Sequence, residues 1–396
     1  MQFEPLSPVR HIPGDEERAG PEQGIALCLS GGGYRAMLFH LGSLWRLNEW
    51  GYLPRIARIS SVSGGSIVAA ALGRNWGRLE FNDKVATNFD AEVVAPVRSL
   101  AGKTIDSRAI GIGLFTPGSI NRRVVNAYRR HLFGDSTLQD LPRDDEGPRF
   151  VINATNLQSG VLWRFSRPYA WDYKVGKIAE PRIPLAVAVG ASSAFPPFLS
   201  PARLSFSEDE FEPGTGEELQ QAPYTTRPVL SDGGVYDNLG LETAWKRYRT
   251  VLISDGGGAM EADGGDLGPL GWRWRDWGTQ FVRVLFTIDN QVRSLRKRQA
   301  IAAFESDGEE GREGTYWGVR SDIEDYDLDS SLSCPSAATK KLAETPTRLK
   351  RLDSIAQERL INWGYAICDT AMRKWVDPGL SRVPPRFPYP DVGVGP

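Results

Sequence analysis

Three short segments carry residue types that could do chemistry together. Ser61-Val62-Ser63-Gly64-Gly65 lies between an apolar run, Ile56 to Val62, and a stretch of small residues, GGSIVAAALG. This is the pattern of a nucleophile elbow, except that Ser61 stands where a glycine is usual. Such a turn holds its nucleophile in a strained backbone conformation with tightly packed flanks, so the neighbours must be small. It also sets Ser63 at the start of a helix, where backbone N–H groups favour a developing oxyanion. The bland alternative is a tight Gly/Ser turn without catalysis.

The second segment is Ser30-Gly31-Gly32-Gly33-Tyr34-Arg35-Ala36. Consecutive glycines let the backbone approach a ligand and turn its amides toward an anion. Arg35 adds a bidentate donor suited to phosphate. A serine hydrolase would use this loop as its oxyanion hole. A nucleotide-binding protein would use it for pyrophosphate, and Gly31-x-Gly33-x-x-Ala36 meets the loose dinucleotide fingerprint. That fingerprint also wants an acidic residue ending the second strand, where this chain has Ser60-Ser61-Val62-Ser63. A Walker loop is excluded, because no Gly-Lys-Ser/Thr follows.

Ser63 would need a base, and the only histidines are His11, His40 and His131. His11 lies in a polar arm. His40 sits about two turns into a helix, roughly 10 Å along its axis. His131 ends a basic helix, where it would cap carbonyls. None follows a strand, so a carboxylate is the better candidate. The third segment occurs twice, as Leu230-Ser231-Asp232-Gly233-Gly234 and Ile253-Ser254-Asp255-Gly256-Gly257. Each ends a short strand, where the carboxyl edge of a sheet gathers ligands. An Asx turn is the plain reading of either. Asp237 and Asn238 read as caps of the helix that follows.

The elements that must hold these residues are legible in the periodicity. Gly24 to Ser30 reads as a strand, Tyr34 to Trp50 as a helix through Met37, Leu41, Leu44 and Leu47, and Ile56 to Val62 as a second strand. Two successive strand–turn–helix units predict an α/β fold with a parallel-rich central sheet flanked by helices. Further strands are expected at 150–157, 161–166, 228–231 and 250–254, and helices at 184–194, up to Phe304, and from 346 to 375. The expected organisation is a catalytic core over 24–258, a C-terminal helical extension over 259–376 packed on the same domain, and irregular arms at 1–23 and 377–396.

Composition narrows the function classes. The chain has 396 residues and 41% hydrophobic content, enough for a large core. Lys+Arg 47 against Asp+Glu 49 leaves a net charge of −2, with no global field to recruit nucleic acid. Cys28, Cys334 and Cys368 lie far apart without metal-ligand or disulfide spacing, so neither metal nor cofactor is expected. Residues 1–23 contain no apolar stretch of the secretory kind, and no window approaches the ~18 apolar residues of a membrane span. The expectation is a soluble cytoplasmic protein that can touch a membrane surface peripherally. Trp272, Arg273, Trp274, Arg275 and Trp277, with Arg293, Arg296, Lys297 and Arg298, could meet such a surface. Core packing beneath a solvated basic face is the preferred reading.

SGGGYRAM at 30–37, SVSGG at 61–65 and SDGGVYDNLG at 231–240 occur in this order, with ASSAFPPF at 191–198 before the last. In this ordered set the chain resembles the patatin-like phospholipase family. Its Tyr34-Arg35-Ala36-Met37 loop is also similar to that of the related cytosolic phospholipases A2. The resemblance implies the patatin-like acyl hydrolase fold and calcium-independent hydrolysis of phospholipid or lysophospholipid acyl esters through an acyl-enzyme. It implies a Ser–Asp dyad with Ser63 as nucleophile and Asp232 as base, Gly31, Gly32 and Gly33 as oxyanion hole, and Arg35 as phosphate ligand. It favours Asp232 over Asp255, since only Asp232 follows the ASSAFPP helix and continues into Val235-Tyr236-Asp237-Asn238-Leu239-Gly240. The rivals are a nucleotide-binding protein built on the glycine loop and a non-catalytic lipid-binding module.

Overall fold

The computed structural model describes residues 21–105, 119–197, 199–258, 273–306, 308, 311–329, 331–382 and 385–396. Its frame is a ten-stranded sheet. The strands are β1 (Glu22–Leu29), β2 (Ile56–Val62), β3 (Arg149–Asn156), β4 (Leu162–Phe165), β5 (Tyr169–Asp172), β6 (Gly176–Ala179), β7 (Ala202–Arg203), β8 (Val229–Asp232), β9 (Tyr248–Asp255) and β10 (Glu313–Gly318). The order is β10-β9-β1-β2-β3-β4-β5-β6, with β8 pairing β3 and β7 pairing β8. From β10 to β3 every pairing is parallel, and β3 to β6 form an antiparallel meander. The expected α/β sheet, mostly parallel at its centre and flanked by helices, is what the chain forms.

The central strands read as near-continuous apolar runs because helices cover both faces, as parallel sheets require. Ala26 to Leu29 of β1 and Ile59 to Val62 of β2 are fully buried. Helix α1 (Gly33–Glu49) is buried almost all round, since α5 (Ser354–Trp375) lies across its other side. The two helices meet backbone to backbone. A Cβ on Gly42 would strike the Ile361 carbonyl, and one on Gly364 the Phe39 carbonyl. Leu41, Trp363 and Ile367 belong to the same buried core. Helices α2 (Gly64–Asn75), α3 (Leu185–Ser192) and α4 (Arg273–Phe304) complete the set that concerns the site.

The structure adds to or departs from the sequence reading at three places. Strand β10 has no period-2 signature, because Gly314 and Gly318 interrupt it, yet it extends the sheet beyond β9. The helix expected over 346–375 starts later, as α5 at Ser354, and a separate short helix, Ser336–Ala343, precedes it. Asp353 starts α5 by accepting from the Ala356 N–H at 2.8 Å. The solvated basic face forms only in part, with Arg298 exposed. Arg293 is paired with Asp255, and Arg296 lies within ion-pair distance of Asp237 and Glu242. Trp272 lies outside the described residues, and residues 273–279 are described only as helical backbone. Among the described residues no helix is long and apolar enough to cross a membrane.

Candidate active site

Strand β3 carries two partners along one edge. β2 runs along it until Val62 stands opposite Asn153. β8 arrives from the other direction and ends with Asp232 opposite Ala154. The carboxyl ends of two strands therefore meet head to head on consecutive residues of a third, and the residue after β2 is Ser63. The last turn of α3 ties the two ends together. Ser192 Oγ accepts from the Ser63 N–H at 3.0 Å, while the Ser192 and Ala194 carbonyls accept from Gly233 and Asp232 N–H at 3.2 and 2.9 Å.

Ser63 has φ 51° and ψ −117°, in the half of the map that disfavours side chains. This strain survives because the surroundings over-determine it. A Cβ on Gly64 would collide with the Gly33 carbonyl, and one on Gly65 with the Leu29 carbonyl. The start of α2 is thus pressed onto the glycine loop. Ser61, in place of the usual glycine, is fully buried and satisfied. Its hydroxyl donates to the Val151 carbonyl at 3.2 Å and accepts from Ser66 Oγ at 3.1 Å.

The glycine loop leads into α1 with φ 145° at Gly32 and φ 61° at Gly33. The Gly31 N–H is already engaged, donating to the Asn238 carbonyl at 3.0 Å and to Asn238 Oδ1 at 3.1 Å. Among the described residues no group accepts from the N–H of Gly32, Gly33 or Gly64. These amides stand at the amino ends of two helices, where the backbone dipoles favour negative charge.

Ser63, Asp232 and Gly31 to Gly33 all line one cavity of about 570 Å³. Asp232 is 2% exposed. Its Oδ1 accepts from the Gly234 N–H at 2.8 Å, and its Oδ2 is buried without a hydrogen-bond partner among the described residues. Burial pushes its carboxyl up to about 7, against the pull of the Gly234 N–H and the nearby Ser63 hydroxyl, and the charge of Asp289 pushes the same way. A carboxyl titrating there is a far better proton acceptor than an ordinary aspartate near 4.

Residues 27–245 match the family model described as patatin-like phospholipase. The chain belongs to that family. No curated protein matches the sequence significantly. Among solved structures, human GIVD cytosolic phospholipase A2 is similar at 12% identity and a TM-score of 0.52, covering 91% of this chain and 62% of that one. The chain therefore spans less than two thirds of that structure. The same human protein with methyl gamma-linolenyl fluorophosphonate and terbium chloride gives 16% identity and a TM-score of 0.47, covering 88% of this chain and 58% of that one. VipD from Legionella pneumophila gives 14% identity and 0.33, covering 88% and 66%. At such identities the first likeness speaks for the fold alone.

Against this patatin-like frame the other expected site residues separate. Asp255 is not at the cavity wall. Its Oδ2 accepts from Arg293 Nε at 2.9 Å and Tyr316 OH at 2.7 Å, and its Oδ1 from the Gly257 N–H at 2.9 Å. Burial alone would raise this carboxyl, but Arg293, Tyr316 and Gly257 outweigh it and hold it below the usual range. His40 is buried between the Ser30 carbonyl at 3.0 Å and Ser254 Oγ at 2.8 Å, and burial lowers its pKa to about 4. Among the described residues no three His, Cys, Asp or Glu side chains gather as a metal ion would need.

Arg35, expected to meet phosphate, does not line the cavity. It is 2% exposed. Its guanidinium donates to the carbonyls of Gly256, Ala343 and Thr345 and to Thr347 Oγ1. This is an arginine that fastens the start of α1 to β9 and to the segment before α5. Arg35→Ala is accordingly expected to lower kcat/KM for a phospholipid and for a neutral p-nitrophenyl ester in parallel, within about threefold of each other. A loss confined to the phospholipid would show instead that the guanidinium meets phosphate.

Two site residues were not picked out from sequence as such. Asp237 does cap the following helix, accepting from the Glu242 N–H at 2.7 Å. Asn238 does not. It turns back to hold Gly31 and donates to Asp289 Oδ2 at 3.3 Å. Asp289 comes from α4, beyond the matched family region, and nothing in its local sequence singles it out.

Proposed function

We propose that this chain is a serine acyl hydrolase in which Ser63 attacks an ester carbonyl and Asp232 accepts its proton. The observation that carries this reading is the buried Oδ2 of Asp232 beside the strained Ser63, without a hydrogen-bond partner among the described residues, on a cavity whose Gly32 and Gly33 amides are unengaged among those residues. As the Ser63 Oγ–carbon bond forms, the proton passes to Asp232. The carbonyl oxygen gains negative charge within reach of the Gly32, Gly33 and Gly64 N–H groups. Collapse breaks the bond to the leaving alcohol, which recovers the proton from Asp232. Water then repeats the sequence on the acyl-enzyme.

The cavity lining supports a lipid substrate. Phe195, Leu199, Leu285, Phe286 and Leu349 offer an apolar wall to an acyl chain. Val235 and Ile288, 46% and 55% exposed, line the same cavity and so face both substrate and solvent. This suits a phospholipid or lysophospholipid drawn from a lipid surface that the protein touches peripherally.

An alkyl fluorophosphonate is expected to label the protein once, at Ser63, and Ser63→Ala is expected to take up none while its circular dichroism and Tm stay near wild type. A nucleotide-binding protein or an inert lipid carrier would not label. Uptake that persists in Ser63→Ala and is lost in Ser66→Ala would move the nucleophile and sink the assignment.

A further inference from the structure

We propose that Asp289 on α4 is a positioning residue of the hydrolytic site, holding Asn238 and the glycine loop and setting a second carboxylate against Asp232. This rests on the reading of Ser63 and Asp232 given above, but concerns a residue outside the matched region 27–245. The link to the loop is a chain of contacts. Asp289 Oδ2 accepts from Asn238 Nδ2 at 3.3 Å, and Asn238 Oδ1 and carbonyl accept from the Gly31 N–H at 3.1 and 3.0 Å. Gly31 has no room to yield, since a Cβ there would collide with Asn238 Oδ1. Asn238, held from α4, is therefore one of the groups that set the register of the loop.

The electrostatic half follows from what faces Asp289. Arg293, one turn on, is committed elsewhere: Nε to Asp255, Nη1 to the Gly258 carbonyl and Nη2 to the Gly257 carbonyl. Asp255 on β9 and Asp232 on β8 add like charge. Among the described residues no cation lies within ion-pair distance of Asp289. Arg348, from the segment before α5, lines the same cavity. Burial raises the Asp289 carboxyl to about 6, Arg293 and Asn238 oppose it, and Asp255 adds to it. Asp289 and Asp232 line the same cavity, so near neutral pH the charge of Asp289 makes Asp232 hold a proton more tightly, which is what a stronger base does.

Two substitutions separate the halves. Asp289→Asn keeps an oxygen acceptor for Asn238 and removes the charge. Its fluorophosphonate labelling profile against pH should cross that of wild type, about two- to threefold faster at pH 6, where more Asp232 is ionised, and about twofold slower at pH 8.5, where a weaker base acts. Asp289→Ala also releases Asn238 and should label more slowly than the Asn variant at both pH values, by about tenfold, as expected for a loosened oxyanion loop. A residue that merely supports the fold would move neither the shape nor the crossing of the profile. The inference is overturned if the Asn profile superimposes on wild type, or if the Ala and Asn variants react alike. Wild-type protein that takes up no probe would instead overturn the reading of Ser63, and this inference with it.

Discussion

Asp232→Asn is expected to lower kcat by roughly 10²–10⁴-fold, the range for a positioned general base, while making the protein more stable above neutral pH. Both effects have one cause. The Asp232 carboxylate is buried, has one oxygen without a partner, and titrates at about 7. Ionising it is useful for proton transfer and unfavourable for folding. The sign follows from linkage. In the unfolded chain this aspartate loses its proton near pH ~4, whereas the folded site keeps it until about 7. Between these values the folded state binds the extra proton, so stability falls as pH rises and levels off above the folded value. Asparagine removes that cost, and the gain in Tm over wild type should grow from about pH 4 to pH 7 and then stay constant. In wild type, kcat/KM should fall as pH drops through about 7, because only the ionised base can act.

Asp255→Asn is the matched control. Its carboxylate is engaged by Arg293, Tyr316 and Gly257, so the substitution should lower Tm and leave kcat largely intact. Full turnover in Asp232→Asn, or a collapse of kcat in Asp255→Asn, would reverse the choice of base.

The two Asp-Gly-Gly segments also show what local sequence could and could not say. Both end a strand, and both were legible as such. What separates them is the strand each one meets. β8 stops against β3 where β2 stops, and β9 pairs between β1 and β10. Strand partners are long-range information, and periodicity within one segment carries none of it. The glycine loop was legible for a related reason. Each glycine there is needed by a local φ or by an atom in close contact, so its residue type reports its geometry. Arg35 could not be read that way, because a guanidinium serves equally well on a phosphate or on main-chain carbonyls. Asn238 beside Asp237 looked like a second cap, and only the positions of the glycine loop and α4 give it other partners.

The region after β9 is also where the largest stability effect is expected. Asp369 on α5 is fully buried between two arginines. Its Oδ1 accepts from Arg46 Nε and Nη2 at 2.8 and 2.7 Å, and its Oδ2 from Arg373 Nε and Nη2 at 2.8 and 2.5 Å. Arg46 also reaches Glu49 at 2.7 Å and lies over the Trp50 ring at 4.2 Å. Asp369→Ala removes the carboxylate that both guanidiniums share, which should cost about 3–5 kcal/mol and lower Tm by about 5–10 °C. The cost belongs to the stranded cations and not to a lost attraction, so replacing all three groups should recover most of it. Arg46→Met, Asp369→Leu and Arg373→Met combined is expected to melt well above Asp369→Ala alone. A Tm within about 1 °C of wild type for the single variant would show that water or relaxation compensates the charges. A triple variant no better than the single one would mean that the triad holds α1 against α5 by direct attraction. Below its transition Asp369→Ala should still take up the fluorophosphonate, because the glycine loop at the far end of α1 is fastened separately by Asn238, Arg35 and the Arg348 carbonyl.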